Sequence, residues 1–256
     1  MNNYSLKLAA ILMLFNTFTG MAQHRRSAFA HRSPLTMGSI WVSGFAGLNS
    51  NWIMNQNAYG NQEIEYAPTF GATAGLGANF FYNRDWGYGA SVSLSKFGQN
   101  YKGWQAGAEA LRKVKLTYVE VPLVFMRQLS GMIFPTWISV GPDVMILVKA
   151  NQDYIRDGGS QLPNPDGMTS GDVKERFKPV DVALHLAISS MFDFDRSRKQ
   201  LLLFSINSSI GVTDINTVQW QIKNTHNSYG GGHNFYIGFK AGMMLKASKS
   251  RRYRWR

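Results

Sequence analysis

Glu120, Asp143, Asp181, His185 and Lys240 are the residues of this sequence best placed to do chemistry. Three carboxylates, an imidazole and an ammonium offer acid–base work, nucleophile activation or ion binding. They sit among small and hydroxylated residues at a spacing of two, as in Ser139-x-Gly141-x-Asp143 and Asp181-x-Ala183-x-His185-x-Ala187-x-Ser189. That spacing puts them on one face of a strand. Charges withdrawn from water need partners. The plainest expectation is a structural polar cluster that fills a narrow lumen, its carboxylates held by Lys240, an Arg or His185. A sharper reading is a lipid hydrolase in which His185 activates Ser189 while Glu120 or Asp181 orients the imidazole. Four residues of strand span about 13 Å, too far for a Ser–His hydrogen bond. The expectation is therefore no catalytic residue, no enzyme and no cofactor. The His residues are scattered without a metal-binding spacing, so no metal site is expected.

The elements that would carry these residues show a two-faced alternation. Phe70, Ala72, Ala74, Leu76, Ala78, Phe80 and Tyr82 alternate with Gly71, Thr73, Gly75, Gly77 and Asn79. In a soluble sheet the polar face is usually charged and turned to water. Here it is small and uncharged, which suits a narrow polar lumen with the greasy face against lipid. The pattern recurs over about 39–53, 67–82, 86–98, 114–127, 134–148, 178–193, 200–215 and 233–247. Connections after the second, fourth and sixth segments are short, and those after the first, third, fifth and seventh are long. The predicted fold is all-β: an eight-stranded antiparallel transmembrane β-barrel with short periplasmic turns and long external loops. An even strand number closes such a barrel and leaves no unpaired edge in lipid.

Composition agrees. Aromatics are 13% and charged residues 16%, against roughly 25% charged in an average soluble domain. The absence of Cys excludes disulfides and thiolate metal sites. Residues 1–22 read as a cleaved signal peptide: Lys7, an apolar run Leu8–Phe15, then Gly20-Met21-Ala22. Residues 23–37 form a basic lead-in, 38–247 the barrel and 248–256 a basic aromatic tail. The net charge of +12 is concentrated partly at both ends. In the tail, Arg251, Arg252, Tyr253, Arg254, Trp255 and Arg256 are candidate partner or lipid contacts.

A polar stretch at 150–176 carries Asp153, Arg156, Asp157, Asp166, Asp172 and Glu175 and is expected to be a solvated external loop, with a calcium or partner site as the alternative. Trp52, Trp86, Tyr88, Trp104, Trp137 and Tyr154 are candidates for interfacial girdles, and Trp220 for a partner contact.

Tyr118-Val-Glu-Val-Pro-Leu-Val-Phe125 resembles the Tyr-(Leu/Val)-Glu-(Ile/Val)-Pro-Leu strand of the PorT-like outer-membrane β-barrel family of Bacteroidetes. Val140-Gly-Pro142 is similar to that family's Gly-Pro strand, and Gly211-Val-Thr-Asp-Ile215 to its Gly-Leu-Thr-Asp-Ile strand end. The resemblance spans roughly residues 38–247. It implies a small eight-stranded outer-membrane barrel, and its namesake supports protein export by the type IX route. The tail after residue 247 departs from the pattern, because barrels of this kind usually end on the last strand with an aromatic residue.

The functional expectation is a non-catalytic structural or adaptor barrel in the cell outer membrane, serving protein export or envelope assembly. A narrow or gated pore is the alternative, a lipid hydrolase a third reading and a soluble β-barrel a fourth. Outer-membrane lipid and other envelope or secretion proteins are the expected partners, nucleic acid is not, and the oligomeric state is open.

Overall fold

The computed structural model describes residues 38–54, 65–83, 85–105, 108–130, 132, 134–157, 169–194, 199–221 and 229–247. The signal peptide, the basic lead-in and the tail residues Arg251, Arg252, Tyr253, Arg254, Trp255 and Arg256 lie outside them, as does Asp166.

Among the described residues the strands are β1 (Ser39–Met54), β2 (Glu65–Ala67), β3 (Phe70–Phe81), β4 (Trp86–Gln105), β5 (Ala108–Leu129), β6 (Thr136–Arg156), β7 (Gly171–Asp172), β8 (Val180–Asp193), β9 (Gln200–Gly211) and β10 (His233–Lys246). The eight long strands pair in the order β1-β3-β4-β5-β6-β8-β9-β10, and β10 pairs back onto β1, all antiparallel. This closed ring is a β-barrel. β2 and β7 are short additions to β4 and β6 at the external end.

Register keeps each face uniform. Leu48 pairs with Phe239 on one side and Ala72 on the other, whereas Asn49 pairs with Gly238 and Gly71. The first set faces out and the second in. Leu48 is 69% exposed, Phe70 78% and Leu76 73%, a belt of large apolar side chains suited to a lipid surround. The short turns hold themselves. Asn83 Oδ1 accepts the backbone N–H groups of Asp85 and Trp86, both at 2.8 Å, and so closes the β3–β4 turn.

The interior has three layers. At the periplasmic end Trp41, Phe81, Met126, Trp137, Met191, Leu201 and Met244 pack together, with Phe81 edge-on to Trp137 at 5.0 Å. At the external end Ile53, Phe97, Tyr101, Val114, Leu116, Tyr118, Leu147, Phe177 and Ile215 belong to a second apolar cluster. A buried polar layer containing Ser93, Glu120, Asp143, His185, Asn207 and Lys240 lies between them, and Gln99, Arg112 and Gln152 are buried at the external end as well, Arg112 bonding Gln152 at 2.9 Å.

Three expectations need correction. The stretch expected to be a polar connection between about 98 and 112 is strand on both sides, continuing β4 to Gln105 and starting β5 at Ala108. The stretch expected to be a loop from 150 is strand to Arg156, with β7 and a short 3-10 turn at Lys174–Arg176 following. Both extensions exist because β4, β5 and β6 pair above the lipid belt, burying Tyr101, Val114, Ala150 and Gln152 on the inner face. Trp137 and Tyr154 do not belong to a lipid girdle, since both are buried on the inner face. Trp86 and Tyr88 do face outward, packing on Phe125 at 4.8 and 5.4 Å, with the Arg127 guanidinium 4.6 Å from the Trp86 ring.

The Pro-containing segments explain one irregularity. Pro122 pairs with Asp143, after which the β5–β6 ladder lapses until Phe125 meets Val140. Pro122 and Pro142 have no N–H to donate, and the ladder lapses just past the Pro122–Asp143 pair, next to Pro142. Gly141 fits there because a Cβ would lie 1.9 Å from the Leu123 carbonyl oxygen.

Candidate functional site

Strand parity turns Tyr118 and Glu120 on β5, Asp143 on β6, Asp181, His185 and Ser189 on β8, Asn207 and Ser209 on β9, and Asn234 and Lys240 on β10 toward the lumen. All are buried. The barrel therefore gathers Glu120, Asp143, Asp181, His185 and Lys240 into one interior layer, and each carboxylate finds different company.

Glu120 accepts hydrogen bonds from the hydroxyls of Ser93, at 3.3 Å, and Ser95, and Ser95 in turn bonds Thr73 at 2.6 Å. Asp181 accepts from Thr213 at 2.5 Å and from the Asn234 amide at 2.9 Å. Asn234 also reaches the Tyr118 hydroxyl at 3.3 Å. Asp143 lies 4.0 Å from Nδ1 of His185. The Lys240 ammonium sits 5.2 Å from the Phe45 ring centre and 5.9 Å from that of Tyr236. Neutral hydroxyls and an amide thus hold Glu120 and Asp181, where ion pairs were expected. A short hydroxyl already on the neighbouring strand satisfies a carboxylate without drawing a second charge out of water. Ser189 bonds Ser205 at 2.9 Å, so the structure does not bring Ser189 and His185 together.

Sequence reading had not singled out Tyr118, Asn234 or Thr213 as partners of this layer. Tyr118 and Thr213 stood in two of the resemblance motifs, but only closure of the ring shows that Asn234, from the last strand, joins them.

Above the lumen, the segments after β7 and β9 zip into a cap. Thr217 N–H donates to the Arg176 carbonyl at 2.9 Å, Val173 N–H to Ala150 at 3.0 Å and Ile215 N–H to Gly232 at 2.9 Å. The Arg176 guanidinium lies 4.2 Å from the Trp220 ring centre. Asp214 is the knot. It accepts from Tyr229 at 2.8 Å, the Gly232 N–H at 2.9 Å, the Asn216 N–H at 3.1 Å and Gln221 at 2.8 Å. Partial burial pushes the Asp214 carboxyl up, but the N–H groups of Asn216 and Gly232, the Tyr229 hydroxyl and the charge of Lys178 outweigh it and hold its pKa below the usual aspartate value. Burial, with the adjacent Asp214 charge, pushes the Tyr229 phenol up to about 12.

The acidic residues of the 150–176 stretch, expected to be a solvated loop with a calcium or partner site as the alternative, do not converge among the described residues. Asp153 pairs with Lys115 at 2.5 Å, and Asp172 accepts the Lys174 N–H at 2.8 Å. Among the described residues no group of three or more His, Asp or Glu could hold a metal ion.

Residues 21–216 match the family model described as "Outer membrane protein beta-barrel domain". The chain belongs to this outer membrane protein β-barrel family. The match takes in β1 to β9, and all three resemblance motifs lie within it; β10 lies beyond it and closes the ring. Membership and the lipid-facing belt place the protein in the outer membrane. Solved structures to which the chain is similar include OprG from Pseudomonas aeruginosa (7% identity, 84% of this chain and 99% of that one, TM-score 0.48). Neisserial surface protein A (11%, 81% and 96%, 0.40) and Ail of Yersinia pestis (12%, 82% and 100%, 0.38) are two more. No curated protein matches the chain in sequence.

Proposed function

We propose that this family member is a non-catalytic, non-conducting barrel that serves as a structural or adaptor component of the envelope, in protein export or envelope assembly. The observation that carries the proposal is the layering of the lumen. The polar layer lies between the Trp41–Phe81–Trp137 cluster and the Phe97–Leu116–Phe177 cluster, beside which Gln99, Arg112 and Gln152 are also buried, so side chains occupy the lumen along its length. An eight-stranded barrel is narrow enough for its own side chains to fill it. What the molecule offers to others lies outside: β4, β5 and β6 rise past the lipid belt as a paired sheet, and the cap packs against it. The PorT-like resemblance, carried by Tyr118–Phe125, Val140–Pro142 and Gly211–Ile215, points the same way, toward the export machinery of Bacteroidetes.

The test is single-channel recording of the purified chain in planar bilayers. No discrete steps are expected at any holding potential. Regular conductance steps would overturn the proposal and favour the narrow-pore alternative, which the buried polar layer would then serve.

A further inference from the structure

The outer face of the β4–β5–β6 sheet changes character along its length. Near mid-membrane it is apolar, with Leu94, Val119, Ile146 and Val148. The next positions outward on the same face form rows set by register: Lys96, Thr117 and Lys149; then Gly98, Lys115 and Asn151; then Asn100, Lys113 and Asp153. Four lysines and a single carboxylate occupy these rows. The carboxylates Glu109 and Asp157 come only farther out, where Glu109 pairs with Lys102 at 3.0 Å. Lys115 is neutralised by Asp153 at 2.5 Å. Among the described residues Lys96, Lys113 and Lys149 form no ion pair.

Height identifies what these lysines meet. From Trp86, near the periplasmic turn, to Lys96 the strand climbs roughly 25 Å at about 3.3 Å per residue and a tilt of about 40°. That is the thickness of the apolar band, so the first row stands where hydrocarbon gives way to headgroups. A bulge at Thr117/Tyr118 helps: it leaves Val148 and Lys149 both exposed, one for each environment.

We propose that Lys96, Lys113 and Lys149 form a binding site for the phosphorylated headgroup of an outer-leaflet glycolipid. The acyl chains lie along the apolar wall directly below, and the phosphates meet the three unpaired ammonium groups. Continuity with the lipid face and charge complementarity argue for a lipid rather than an acidic protein, whose charges would not reach the hydrocarbon boundary.

The experiment titrates the full chain, refolded in a neutral detergent, with lipid A and with the same lipid after phosphatase treatment, counting bound lipid by native mass spectrometry. Wild type is expected to prefer the phosphorylated form. Combining Lys96→Gln, Lys113→Gln and Lys149→Gln is expected to weaken that binding by about fivefold per lysine, roughly a hundredfold in all. Replacing the same three by Arg should preserve it. Equal binding of the two lipids by wild type, or undiminished binding by the Gln variant, would overturn the proposal. Raising the salt concentration with wild type alone gives a decision that does not depend on a variant folding. Binding of phosphorylated lipid should fall steeply, and salt-insensitive binding would also overturn it.

Discussion

Nδ2 of Asn234 lies 2.9 Å from Oδ2 of Asp181, so a side chain on β10 is tied to one on β8 across the intervening β9. The same amide reaches Tyr118 on β5. Asn234 therefore links the strand that closes the ring to residues on two strands it does not pair with. Asn234→Ala removes both hydrogen bonds and leaves a buried carboxylate short of a donor, with an expected cost of about 1–3 kcal/mol. The measurement is urea unfolding in micelles, followed by the gel mobility difference between unheated and boiled samples. A midpoint equal to wild type would show that the bond across β9 contributes nothing.

Asp214 makes the external cap sensitive to acid. Its pKa is held below the ordinary value of 3.8, so its stabilisation is fully present above the pKa of an unfolded aspartate. It is lost as pH falls below that value and through the folded one. Amide exchange across residues 213–221 and 229–232 should be slow at pH 7 and accelerate, beyond the intrinsic effect of pH, as pH drops below about 4. Asp214→Asn should be loose at both pH values and show no such added step. An acid-induced loosening of equal size in the variant would assign it to another group.

Gly98 is a point where the sheet accepts nothing larger. Its φ is +140°, a region L-residues rarely adopt, and a Cβ there would lie 2.0 Å from the Val114 carbonyl oxygen. Gly98→Ala must displace β5 just above the lipid boundary, and a loss of at least about 1–3 kcal/mol is expected. The effect should be local to the extension. Proteolysis should reach the β4–β5 hairpin tip far faster in the variant, while the membrane-embedded part keeps its heat-modifiable mobility.

The period-two pattern revealed the membrane-embedded walls because lipid and lumen demand opposite chemistry of successive residues. Phe70 to Tyr82 shows this plainly, and the turn at Asn83 announces itself through its own side chain. The extensions of β4, β5 and β6 were not legible for the converse reason. Above the lipid the polarity inverts: Lys96, Lys113 and Lys149 face out while Tyr101, Val114 and Leu116 face in. A search for greasy-out strands therefore meets a polar stretch and stops near 98 and 148. The lumen layer was half legible. Parity turns Glu120, Asp181 and Lys240 inward, but the choice of Ser95, Thr213 and Asn234 as partners depends on strand order and register around a closed ring. Neither can be read from one strand's own residues.

Leu76 and Val218 are exposed to nearly the same degree, 73% and 78%, but only Leu76 lies on a membrane-spanning strand. Leu76 pairs with Gly44 and Val92 in the middle of the wall, whereas Val218 begins a short 3-10 turn in the external cap. Leu76→Arg would hold a guanidinium near the bilayer midplane, at a cost of about 2–4 kcal/mol. Val218→Arg would place the same group in water, where a surface change is expected to stay within about 0.5 kcal/mol. The check is urea-dependent folding of both variants into lipid vesicles. A large loss for Leu76→Arg alone is the signature of lipid against that wall. Equal, small effects at both sites would mean that the belt around Leu76 meets water and that the outward apolar face needs some other covering.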